Sequence, residues 1–119
     1  MAYKVRLTTA ARGDAFAAFE HIREEAPAAA EHWLRRLFDA ISSLEDMPNR
    51  CPVIPEAAEL GLPVRHLIFG KRSGVYGIIF DVNEHSNDGP QVRILRIWHG
   101  SRDRVSSYDV AGDDADENT

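Results

Sequence analysis

The 119 residues carry 14 basic and 19 acidic side chains, a formal net charge of −5, with 44% apolar and 28% charged residues; that balance excludes a disordered chain and suits one soluble domain with a single two-layer core. One cysteine, Cys51, excludes an internal disulfide and a cysteine-built zinc site. No apolar run approaches the roughly 18 residues that span a bilayer, and the opening MAYKVRLTT lacks the apolar stretch of a signal peptide, so a cytoplasmic protein is expected.

Tyr3 to Leu7 alternates as YKVRL, with Tyr3, Val5 and Leu7 on one side and Lys4 and Arg6 on the other, which predicts a half-buried strand. Thr8 or Thr9 offers an N-cap hydroxyl to a helix running to about Glu25. Along it Ala15, Phe16, Ala18, Phe19 and Ile22 form an apolar stripe expected to pack in the core. Pro27 opens a second helix at the position a helix tolerates best. Ala30, Trp33, Leu34, Leu37, Phe38, Ile41, Leu44 and Met47 recur at spacings of three and four, and Pro48 ends the pattern. Two such helices joined at Ala26-Pro27 predict an α-hairpin.

MPNRCPVIPEAAELGLP, with four prolines, reads as a loop. Val64 to Phe69, Val75 to Val82 and Gln91 to His99 then read as three strands joined by the turn-rich segments GKRSG and NEHSNDGP. The order β-α-α-β-β-β predicts an α+β fold: an antiparallel sheet with the helical hairpin on one face and the other face open. Residues 1–108 form the expected domain. Residues 109–119 hold five acidic groups and no basic one, leaving a body with 14 of each sign; with little apolar surface to offset ordering entropy, they are expected to be a disordered tail. Positive charge gathers in the second half, where residues 60–108 carry seven basic and four acidic groups.

The segments YKVRLT, PAAAEHWLRRL, LEDMPNRCPVIPE, VRHLIFGKRSGVYGIIFDV and VRILRIWHGSRD, in this order and spacing, resemble the RelE/ParE superfamily of toxins from bacterial type II toxin–antitoxin modules, the plasmid-stabilisation type. The resemblance spans about Tyr3 to Tyr108. It implies the same α+β fold, and a toxin silenced in a hetero-oligomer by an antitoxin whose C-terminal segment wraps around it. Two activities are implied by different branches: RelE-like members cut mRNA on the ribosome without a metal, and ParE-like members poison DNA gyrase.

A metal-free ribonuclease needs a group to take the 2′-hydroxyl proton, cations for the developing phosphorane charge and an acid for the leaving oxygen. By resemblance to RelE-like sites, Arg102 matches the arginine after the last strand, and its planar fork suits a bidentate phosphate contact. Tyr108 matches the family tyrosine six residues on, and Arg65 falls near the first cationic position. His99 lies beside them and has the side chain whose ordinary pKa suits proton exchange near neutrality. Gly77 departs from the pattern: RelE-like sequences read Tyr-Arg where this chain reads Tyr76-Gly77, and the expected arginine is missing. Arg65, Lys71 or Arg72 are the available substitutes.

The other readings of these residues are structural. Arg102 and Arg104 suit a solvated strand end, His99 a hydrogen-bonded position, and Trp98 packing or an antitoxin contact. His21, His32, His66 and His85 lack ligand spacing, so no metal or other cofactor is expected. GKRSG is a basic turn with no helix after it, unlike a phosphate-binding loop. Three functions therefore stand: gyrase poison, ribosome-dependent endonuclease, and a catalytically degenerate toxin fold that keeps only antitoxin binding.

Overall fold

The structure, a computed structural model, describes residues 2–70, 74–100 and 106–111. Its elements are β1 (Lys4–Leu7), α1 (Thr9–Glu25), α2 (Pro27–Ser42), α3 (Ala57–Leu60), β2 (Arg65–Phe69), β3 (Tyr76–Asn83), β4 (Gln91–His99) and α4 (Ser107–Ala111), with 3-10 turns at Ser43–Glu45 and Pro48–Arg50. The strands form one sheet in the order β1-β4-β3-β2. β2, β3 and β4 pair antiparallel, as the short turns require. β1 pairs parallel with β4, Val5 beside Val92 and Leu7 beside Ile94, so the sheet is mixed rather than wholly antiparallel. The reason is connectivity: a helical hairpin and two antiparallel turns separate β1 from β4, which frees β1 from the direction a hairpin imposes.

The helical hairpin covers one face. Leu37, Ile41 and Leu44 pack with Ile78, Phe80, Val92, Ile94 and Ile97 of the sheet, and Tyr3, Val5 and Leu7 line the margin. Thr8 is the N-cap of α1. Its hydroxyl accepts from the Ala11 N–H and donates to the Leu95 carbonyl, both at 3.1 Å, which fastens the start of α1 to the free edge of β4 beyond short β1.

The apolar stripes are wider than the core they meet. Ala11 and Ala15 are buried on α1, yet Phe16 is 65% exposed; on α2 Phe38 is 51% exposed. Small alanines let α1 approach the sheet closely, and the larger rings on the flank are left outside. α2 also stops at Ser42, short of Met47. The Ser43 hydroxyl donates to the Ala40 carbonyl at 2.6 Å, and the Arg50 guanidinium donates to the carbonyls of Asp46 at 2.7 Å and Met47 at 3.1 Å, holding a 3-10 turn in place of further helix. Met47 itself takes a left-handed conformation (φ 49°) and is exposed.

The far face of the sheet is not open. The proline-rich link crosses it: Ile54, Ala57, Leu60 and Val64 pack with Ile79, Leu95, Trp98 and Val110 in a second core. Prolines prevent a long helix there, but apolar residues between them still seek cover. A bridge between Val53 and Arg65, with the His66 N–H donating to the Pro52 carbonyl at 3.1 Å, seats the link beside β2. α4 carries the described body to Ala111, with Val110 buried, so Asp109 to Ala111 belong to a helix packed on the sheet; residues 112–119 lie outside the described residues.

A β-bulge decides what faces where. Ile79 pairs with Arg96 but Phe80 with Ile94, so Leu95 is the extra residue. This puts Ile94 and Ile97 on the hairpin face although they are three apart, and puts Arg93 and Arg96, also three apart, on the far face.

Candidate functional site

Arg96 forms the centre of the far-face charge network. Its guanidinium meets both oxygens of Asp14 on α1 at 2.8 Å, and its Nη1 reaches Asp109 on α4 at 3.1 Å. Its carbon Cζ lies 5.1 Å from the Trp98 ring centroid, within cation–π range. Asp14 also accepts from the Ile97 N–H at 2.9 Å. The hydrogen bond that Arg96 donates to Asp14 is the first cause that pushes the Arg96 pKa above its ordinary value, so the cation is permanent. Arg93 is likewise engaged: its Nε and Nη2 bind the two Asp81 oxygens at 3.2 and 2.7 Å, and Nη2 also donates to the Val110 carbonyl at 2.6 Å. Both arginines spend their forks on carboxylates and on α4, which fixes that five-residue helix where its own hydrogen bonds would not.

Of the residues singled out by resemblance, Arg65, His99 and Tyr108 are among the described residues, and Arg65 stands apart from His99. Arg65 begins β2 on the hairpin side, opposite Phe80, and its Nη1 donates to the carbonyls of Cys51 at 2.6 Å and Asn49 at 3.3 Å. It ties the proline-rich link to the sheet. His99 ends β4 with its ring 4.9 Å from that of Tyr76. Their partners on β3, Phe80 and Tyr76, are four residues apart, about 13 Å along a strand. Tyr108 stands on α4, 83% exposed, over a cleft of about 390 Å³ that includes Thr9, Ala10 and Arg96. Arg102, Arg104, Lys71 and Arg72 lie outside the described residues.

His99 does belong to a cluster that sequence spacing did not reveal. Trp33, Phe69, Tyr76 and His99 form a chain of rings with centroids 4.9 to 6.0 Å apart. A cavity of about 330 Å³ beside them is also lined by His21 and Glu25 of α1. Burial raises the Tyr76 phenol pKa, which leaves it neutral near pH 7. Among the described residues no group of three or more metal-ligating side chains occurs.

Gly77 sits on the far face between Ile68 of β2 and Trp98 of β4. A Cβ there would stand 3.8 Å from Ile68 Cδ1 and 3.9 Å from Ile79 Cδ1, ordinary contacts that demand no glycine. Gly77→Ala is therefore expected to stabilise the fold by about 0.5–1 kcal/mol, because alanine restricts the unfolded chain more than glycine does. Chemical denaturation checks this; a loss of stability would show that the strand needs the glycine. Gly70 contrasts with it: at φ 91° its Cβ would collide with the Gly74 carbonyl, so the basic turn after β2 requires glycine there.

A third feature is an apolar groove of about 480 Å³ on the hairpin flank, lined by Leu7, Ala15, Phe16, Phe19, Leu34 and Phe38 with Arg12 at its rim. It adjoins the outer edge of β1, an end strand of the sheet.

A mixed four-stranded sheet with an α-hairpin on one face, and a link and short helix on the other, defines a toxin fold of the RelE/ParE superfamily. The chain belongs to the ParE toxin family of type II toxin–antitoxin systems, parDE: the family described in those words matches residues 5–104. Among solved structures it is similar to one described as the chromosomal ParDE TA system from P. aeruginosa, at 19% sequence identity and a TM-score of 0.62, covering 83% of this chain and 97% of that one. Among curated proteins no sequence matches it. The family implies an antitoxin partner. No helix among the described residues is long and apolar enough to cross a membrane.

Proposed function

We propose that this chain is the growth-arresting toxin of a parDE-type pair that acts on DNA gyrase rather than by cutting mRNA, and that an antitoxin neutralises it in the cytoplasm. The observation that carries the choice of target is the state of the far face. Two of its described arginines, Arg93 and Arg96, are bound to Asp81, Asp14 and α4. The position where RelE-like chains place a further arginine is Gly77, and Arg65 serves the Cys51 and Asn49 carbonyls. Phosphoryl chemistry on RNA needs cations aimed at one phosphate; here Arg65, Arg93 and Arg96 are turned to protein groups. ParE-like members, in the resemblance set out above, act on gyrase and need no such site.

The antitoxin's seat in this reading is the hairpin groove and the neighbouring β1 edge. An amphipathic segment buries its apolar side chains against Phe16, Phe19, Leu34 and Phe38, and an extended segment pairs with the free strand edge. Induced expression tests the target. Trapped gyrase–DNA cleavage complexes and an SOS response are expected, with transcripts intact. Transcripts cut within codons, abolished by Arg102→Ala, would overturn the gyrase reading in favour of ribosome-dependent cleavage. Tight antitoxin binding without growth arrest would instead leave a degenerate binding module.

A further inference from the structure

Four elements bring rings together at one end of the sheet. Trp33 of α2, Tyr76 of β3 and His99 of β4 line one side of a cavity of about 330 Å³, and Phe69 of β2 packs against Trp33 and Tyr76. The last turns of α1 supply the other side through His21 and Glu25. Small-ligand pockets begin at roughly 300 Å³, so this volume suits a single side chain.

The walls favour a flat cation. Tyr76 is buried, and burial raises its phenol pKa, so the ring carries no charge near pH 7. The Trp33 Nε1–H is buried too and has no acceptor among the described residues; the indole therefore meets the cavity with carbon surface rather than with its donor. Aromatic faces present the negative side of a quadrupole and attract cations. Glu25 is exposed and enters no hydrogen bond or ion pair among the described residues. The basic residue of the same turn, Arg23, is held instead by Glu20 at 2.6 Å. A carboxylate left unneutralised beside ring faces complements a group that is both planar and positive. A guanidinium meets both demands, and it is more weakly hydrated than an ammonium.

We propose that this cavity is a socket for an arginine side chain presented by a partner protein. The guanidinium lies against the Trp33 and Tyr76 rings and donates to the Glu25 carboxylate. Because His21, Glu25 and His99 are exposed, the mouth stays open for the stem of the side chain to enter from outside. One cation–π contact and one charge-assisted hydrogen bond hold a free arginine only weakly, so the socket works as an anchor within a larger interface. The inference is independent of the choice between gyrase and ribosome.

Titration of the isotope-labelled, full-length protein with N-acetyl-arginine methylamide at about pH 8 tests this, read by amide and indole shifts in NMR. Saturable shifts are expected at the Trp33 indole and at the Glu25 and Tyr76 amides, with a Kd on the order of 1–10 mM. The citrulline analogue, which has the same shape without the charge, should bind at least about tenfold more weakly. Glu25→Gln should weaken arginine binding to a similar degree and leave the thermal midpoint in place. The variant K71Q/R72Q, altered in the basic turn between Phe69 and Gly74, should bind arginine as the parent does. Arginine binding that emerges only in K71Q/R72Q would overturn the proposal in favour of the chain's own turn as occupant. Equal binding of the citrulline analogue, or an unchanged affinity in Glu25→Gln, would reduce the socket to an apolar hollow. Saturable shifts with inorganic phosphate and none with the arginine probe would overturn the assigned charge.

Discussion

Asp14→Ala is expected to destabilise the protein by about 3 kcal/mol, the largest single effect among the charged residues. Asp14 is a helix residue with a 15% exposed side chain, and it serves two groups at once: both arms of Arg96 and the Ile97 N–H beside the bulge. Its removal strands a partly buried cation and leaves a strand N–H without its acceptor. Asp109 remains on Arg96, which keeps the loss below that of a fully orphaned charge. For a domain of this size the midpoint should drop by roughly 10–15 °C. Asp14→Asn, which retains an oxygen for Ile97 but not the charge, should fall between. Thermal unfolding of the three proteins measures it; a loss under about 1 kcal/mol would mean that the network is a surface pair in effect. Because Arg96 also holds Asp109, α4 should loosen as well, and hydrogen exchange at residues 107–111 should rise in step.

Phe16→Glu combined with Phe38→Glu should have the opposite profile: little change in stability and a large loss of partner binding. Both rings are mostly exposed, so the folded chain gives up little buried surface. In a complex they would be the anchors of the groove, and charged replacements would have to be buried against an apolar segment. A loss of at least about 100-fold in affinity, or about 2.7 kcal/mol, is expected. The measurement is titration with the antitoxin gene product, alongside unfolding of the free variant. On induction the variant should still arrest growth, and co-expression of that product should no longer relieve it. Unchanged affinity would place the antitoxin elsewhere on the molecule.

These two predictions mark where the sequence pattern succeeded and where it failed. Phe16 and Phe38 read as core because both lie on apolar helical stripes, and periodicity reports which side of a helix is apolar without reporting how much of that side finds cover. Arg93 and Arg96 were not singled out, because a spacing of three conflicts with the period of two in a regular strand. The signal was present: Ile94 and Ile97 are also three apart, and both sets require one extra residue between them, which the bulge at Leu95 supplies. Asp14 gave no signal at all, since its partner lies 82 positions away.

By itself the sequence determined the elements and their order. Alternation in YKVRL, the three-and-four spacing from Ala30 to Leu44, Pro27 at a helix start and the turn residues between strands are local signals, and local signals need only backbone geometry to act. The resemblance carried by the ordered segments led to the family on the same footing. Tertiary structure alone decided the parallel pairing of β1, the covering of the far face by the proline-rich link and α4, and the partners of Arg65, Arg93 and Arg96. Those outcomes depend on which distant groups compete for one hydrogen-bond donor or one apolar surface. The competition is settled when the sheet closes, because only then does Arg96 meet Asp14, Arg93 meet Val110, and Gly77 take its place between Ile68 and Trp98.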